Sequence, residues 1–137
     1  MPQIKELMQI QIGTNDSDWG TVMTLSSKLM GISAEKAYQL IEKYAIRNSF
    51  LFPTALKLMM KAVPEPRKRY SLNMRSIMSA GESVGATVIE WAREQLGVTI
   101  NEMFGQTEIN YVVGNCQAAW PVKPGSIGRP YPGHEVA

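Results

Sequence analysis

The chain has 137 residues, which suits one compact domain, and its 45% apolar content is enough to build a core. A formal net charge of +2, with no long basic stripe, gives no electrostatic footprint for nucleic acid. A single histidine, His134, and a single cysteine, Cys116, exclude multi-ligand His/Cys zinc sites and an intramolecular disulfide, and they leave nucleophile–histidine catalysis without support.

The first residues do not read as a secretory signal, because Lys5, Glu6, Gln9 and Gln11 interrupt the apolar stretch. No apolar run nears the roughly 20 residues that span a bilayer. No membrane partner is expected, and a cytoplasmic location is. Residues 1–32 are the least legible part. Ile4–Ile12 reads as a short helix or strand, Asn15–Asp18 as a turn, and Val22–Met30 as a second apolar segment.

From Ser33 the signals sharpen. Ser33 suits an N-cap, and a helix is predicted from Ala34 to about Tyr44 with Ala37, Tyr38, Ile41 and Tyr44 on its apolar face. Residues 46–52 read as a strand. Pro53 fits the first position of a second helix, which carries Leu56, Met59, Met60 and Val63 and stops at Pro64. The basic run Arg67–Arg69, after two prolines, reads as a solvated linker.

The cycle then repeats. Residues 75–80 read as a strand ending at Gly81, and a helix is expected from about Ser83 to Leu96. Val84, Val88, Ala92 and Leu96 share one face of it, with Gly97 as its stop. Residues 98–104 form the next predicted strand, Tyr111–Cys116 a further one, and Pro121–Gly133 a run of turns. Strands alternating with helices predict an α/β fold, part of a doubly wound, mostly parallel sheet, over residues 33–137. Ligands gather at the carboxyl ends of strands in such sheets. Two stretches are expected there: Ala80-Gly81-Glu82-Ser83 and Phe104-Gly105-Gln106-Thr107-Glu108.

The residue types in these loops suit a nucleotide. Gly81 and Gly105 allow close backbone approach. Phe104 offers an aromatic face, Thr107 a hydroxyl for a phosphate oxygen, and Glu108 a carboxylate for Mg²⁺, which takes one or two such ligands besides phosphate and water oxygens. The plain structural alternative is a core phenylalanine followed by an ordinary turn, with Glu82 a solvated carboxylate. The nine methionines and the helix-face pair Met59 and Met60 read as core packing, and Trp19, Trp91 and Trp120 are too scattered for a stacking platform.

Taken in order, NSFLFPTALKLMMK (48–61), AGES, FGQTE and GSIGRPYPG resemble the adenylate-forming superfamily, especially AMP-forming acyl-CoA synthetases. The resemblance covers about residues 33–137. It implies a ligase that uses ATP and Mg²⁺ to join a carboxylic acid to AMP, then passes the acyl group to a thiol, usually coenzyme A. It implies that Gly81, Glu82 and Ser83 border adenine and ribose, and that Glu102 and Met103 line the adenine side. Phe104 would lie beside the nucleotide where tyrosine is usual. Gly105 and Gln106 would shape the junction of acyl and phosphate sites. Thr107 would bind the α-phosphate, Glu108 would bind Mg²⁺, and Phe50, Phe52 and Pro53 would border the acyl pocket. Ser83 stands where proline is common, and Ile109 where a small or polar residue is frequent.

The family's Ser/Thr/Gly-rich phosphate loop is not found; TLSSKLMG (24–31) lacks its spacing. Its ribose-binding aspartate and its lysine-bearing C-terminal domain are not found either. The chain therefore reads as a middle section of the large N-terminal domain and is expected to show no ligase turnover alone. Two alternatives stand beside this. One is a module that self-associates through exposed sheet edges. The other is a stand-alone nucleotide binder.

Overall fold

A computed structural model describes residues 8–11, 22–25, 33–123 and 125–136; the first two stretches are described as backbone only. Among the described residues, seven strands form one sheet in sequential order: β1 (Met8–Gln11), β2 (Val22–Leu25), β3 (Asn48–Phe50), β4 (Ser76–Ser79), β5 (Ile100–Gln106), β6 (Asn110–Gly114) and β7 (Arg129–Pro130). The pairs from β2 to β5 are parallel, whereas β1–β2, β5–β6 and β6–β7 are antiparallel. The expected α/β fold is the one observed, with the parallel strands β2–β5 at the centre of a mixed sheet. Its helices are α1 (Ala34–Lys43), α2 (Pro53–Ala62) and α3 (Ala86–Trp91), the last running on into a π-helical turn, Ala92–Leu96.

Local chemistry sets most boundaries. The Ser33 hydroxyl accepts the Lys36 amide at 3.3 Å to start α1. Pro53 opens α2. Gly97, at φ 70°, ends the π turn in the left-handed conformation. Three expectations shift. Tyr44 lies past the end of α1 and is 46% exposed, while Leu40 takes its place on the buried face. The strand expected over 46–52 shortens to β3, with Ile46 and Leu51 buried on either side of it. The third helix begins at Ala86 rather than near Ser83, because Gly85 at its N-cap takes φ 87° and no side chain caps the turn. The expected turn at Asn15–Asp18 and residues 26–31 of the candidate phosphate loop lie outside the described residues.

The helices cover one face of the sheet. Ile77 pairs with both Ser49 and Ile100, and all three are buried. Ile77 and Ile100 share a core with Tyr38, Ile41, Leu56, Val88 and Leu96 from the helices. One residue along each strand, Phe50, Met78 and Asn101 point the other way and stay partly or largely exposed. The loop Val63–Ser71 is tied down by the Trp91 indole, which donates to the Pro64 carbonyl at 2.8 Å. The basic run is solvent-exposed, as expected, but it is also structured. It forms a 3₁₀ turn, Pro66–Lys68, with Lys68 paired to Glu65 at 2.6 Å. The Arg67 guanidinium lies over Gly97 at the carbonyl end of the π turn, where a cation is favoured.

Candidate functional site

The carboxyl ends of β4 and β5 enclose a cleft of about 410 Å³, within the range of small-molecule sites. Gly81, Glu82 and Ser83 line one wall. Glu102, Met103, Phe104, Gly105 and Gln106 line a second. Gly125, Ser126 and Ile127 supply a third. Eight residues predicted as nucleotide-binding thus share one cavity. The second stretch is not a loop, however. β5 runs to Gln106, so Phe104-Gly105-Gln106 is strand, and only 107–109 make the turn into β6. Thr107 and Glu108 are exposed on that turn, beyond the end of the cleft lining.

The first wall takes its shape from Gly81, which turns at φ 97° with the Phe52 ring in ordinary contact with the space above its Cα. Glu82 is held toward α2, accepting from the Thr54 hydroxyl at 2.7 Å with Lys57 at 4.0 Å. On the second wall, Glu102 Oε1 accepts the Val84 amide at 2.9 Å, binding the two walls together. Gly105 sits flush against the next strand. A Cβ there would fall 2.0 Å from the Asn110 carbonyl oxygen, at a register shift between Phe104 and Gly105. Phe104 is 48% exposed and Met103 is buried.

Beside the cleft, on the face that no described helix covers, the Phe50 ring meets Phe52 edge-on at 5.2 Å and Tyr111 at 6.4 Å. This gathers two of the residues expected to border an acyl pocket. Sequence reasoning named neither Tyr111 nor the wall at 125–127 as site residues, although GSIGRPYPG carried part of the resemblance. Nor did it find Asn115, which joins the third wall to the second. The Asn115 amide N–H donates to the Glu102 carbonyl at 2.7 Å, and its Nδ2 donates to the Ser126 carbonyl at 2.9 Å.

The donor set fits an adenylate. Glu102 retains acceptor capacity for an exocyclic amine, and Gly81 leaves the first wall without a side chain at that position. Glu82 and Glu102 make one end acidic, so an anionic phosphate would be better received at the other. For a cation the fit is narrower. No group of three metal-ligating side chains occurs among the described residues, so Glu108 would act as one carboxylate beside phosphate oxygens and water. No helix among the described residues is long and apolar enough to cross a membrane.

Comparison with known proteins agrees with the fold. The chain is 38% identical over 104 residues to the uncharacterized acyl-CoA ligase YtcI of Bacillus subtilis (strain 168), covering 75% of this chain and 19% of that protein. It is 31% identical over 106 residues to the acetyl-coenzyme A synthetase of the same strain, covering 77% and 18%. An acyl-CoA synthetase crystal structure from Brucella canis superposes with a TM-score of 0.71 at 37% identity, covering 77% of this chain and 20% of that one. An anthranilate CoA ligase in complex with anthranoyl-AMP superposes with a TM-score of 0.65 at 25% identity, covering 74% and 19%. The chain spans about a fifth of the length of these proteins. Residues 20–137 match the family described as AMP-binding enzyme, a match that begins ahead of the segment where the sequence motifs become legible, and the chain belongs to that family.

Proposed function

We propose that this chain contributes one side of the adenylate site of an AMP-forming ligase resembling acyl-CoA synthetases, acting on a carboxylic acid with coenzyme A as the acyl acceptor. The observation that carries the reading is the meeting of Gly81–Ser83 and Glu102–Gln106, distant in sequence, in one cleft at the carboxyl ends of parallel strands. ATP, when bound, supplies the α-phosphorus that the carboxylate attacks with release of pyrophosphate.

The chain's own residues then have distinct tasks. Phe104 covers one face of the base, and Glu102 accepts from its amine. Gly105 lets β6 close tightly on β5, which shapes the wall that the nucleotide meets. The Thr107 hydroxyl donates to an α-phosphate oxygen, and Glu108 holds Mg²⁺. Phe50 and Phe52 border the acyl group, with Tyr111 beside them. The chain spans about a fifth of the length of the ligases it matches, so weak AMP binding and no ligase turnover are expected of it alone.

Isothermal titration with AMP, paired with a pyrophosphate-release assay over a panel of carboxylic acids, tests this. Binding that weakens about tenfold or more in Thr107→Ala supports it, since a hydrogen bond to a charged group is worth about 1.5–3 kcal/mol. Robust pyrophosphate release by the pure chain contradicts the partial-site reading. A second reading, self-association, draws on the helix-free face, where Met78 is 39% and Tyr111 47% exposed. Light scattering that stays monomeric across concentrations removes it.

A further inference from the structure

We infer that Asn115 is a positioning residue that fixes the Gly125–Ile127 wall at its distance from β5 and thereby sets the width of the cleft. The inference rests on the adenylate reading of that cleft only for its functional consequence; the positioning itself stands on geometry.

Asn115 is 3% exposed, and it is one of the few buried polar residues. It bonds in two directions at once. Its backbone N–H donates to the Glu102 carbonyl on the second wall at 2.7 Å. Its side-chain Nδ2 donates to the Ser126 carbonyl on the third wall at 2.9 Å. Its own carbonyl accepts from the Tyr131 hydroxyl at 3.3 Å. A buried amide so engaged costs more to disturb than an exposed one, because its partners lose their bonds without gaining water.

The surrounding backbone is cut to this contact. A Cβ on Gly114 would fall 2.1 Å from the Tyr131 hydroxyl oxygen, so only glycine lets that ring reach the Asn115 carbonyl. A Cβ on Gly128 would fall 2.0 Å from the Gly114 carbonyl oxygen, and Gly128 takes φ 106°. The Gly128 amide in turn donates to the Ser126 hydroxyl at 3.2 Å. Among the described residues, the Asn115 side chain is the strut that ties the Ser126 carbonyl back to the end of β6.

The test compares wild type with Asn115→Asp, which keeps the size but sets a carboxylate oxygen against the Ser126 carbonyl, and Asn115→Ala, which removes the strut without adding charge. Two readouts are needed: amide hydrogen exchange and AMP affinity. Positioning predicts that the Ser126 and Gly128 amides exchange at least tenfold faster in both variants while those of Ile77 and Ile100 keep their rates. It also predicts AMP affinity about tenfold weaker. Unchanged exchange at Ser126 and Gly128 overturns the inference. So does acceleration spread evenly into the core, which would make Asn115 a support of the whole fold. Should Asn115→Asp fail to fold, Asn115→Ala decides by the same criteria. If wild type binds no AMP, the adenylate reading fails, and the exchange pattern still decides what Asn115 holds.

Discussion

Two halves of this molecule are held together by different physics. Residues 33–98 pack by apolar burial: Tyr38, Ile41, Leu51, Leu56, Val84 and Leu96 are all nearly inaccessible on the helix-covered side. From Met103 onward the buried apolar residues dwindle, among the described residues, to Met103 and Val113, and backbone closeness takes over. There Gly105, Gly114 and Gly128 each have a backbone or ring atom where a side chain would begin. One half supplies stability and the other supplies shape, so damage to each should read out differently.

The sharpest contrast is between a core truncation and a shape lesion. Ile100→Ala removes a side chain that is 0% exposed at the centre of the sheet. It should cost about 2–5 kcal/mol in urea unfolding, with a uniform loss of stability. Gly105→Ala adds a methyl group 2.0 Å from the Asn110 carbonyl oxygen, which cannot swing aside. The β5–β6 hairpin must shift, at a cost of about 1–3 kcal/mol. Its larger consequence should be the loss of measurable AMP binding, while buried amides of the helix layer keep their chemical shifts. Equal disturbance of both halves by Gly105→Ala would erase the distinction.

Smaller effects refine it. Ser33→Ala deletes the hydroxyl that accepts the Lys36 amide and should cost about 1 kcal/mol, with AMP affinity untouched. Tyr38→Phe should change stability at neutral pH by less than about 1 kcal/mol, because the buried Tyr38 hydroxyl has no hydrogen-bond partner among the described residues. Its effect should appear in alkali. Burial, with Tyr70 close by, holds the Tyr38 phenol well above the usual tyrosine range. Burial, with Cys116 nearby, raises Tyr131 as well. Below about pH 10 neither phenol ionises in either state, so neither contributes a pH dependence. Above it the unfolded chain releases protons that the folded chain keeps, and stability falls as pH rises. Denaturation curves from pH 8 to 11 should show a shallower fall in Tyr38→Phe than in wild type. Parallel curves would remove Tyr38 from that account.

The apolar half was the more legible in sequence. Val84, Val88, Ala92 and Leu96, read as one face at spacing four, are all buried even though α3 passes into a π turn between them. Tyr44 misled because periodicity continues past a helix end that backbone geometry sets. The shape-bearing half was legible only as motifs. The spacing of FGQTE located the cleft but not the extension of the strand beyond Phe104 through Gln106, since Gly105 reads as a loop residue until Asn110 is seen against it. Asn115 carried no periodic or motif signal, and its role depends on a contact across eleven residues.

The central claim is that Gly81–Ser83 and Glu102–Gln106 together receive an adenylate. Titrating the isotopically labelled chain with AMP and following its amide resonances tests it most directly. The account predicts saturable shifts confined to 81–84, 102–107 and 125–127, with helices α1 and α2 silent. Shifts centred on the helix-free groove around Asn48 and Ser76, or none at millimolar AMP, would contradict it.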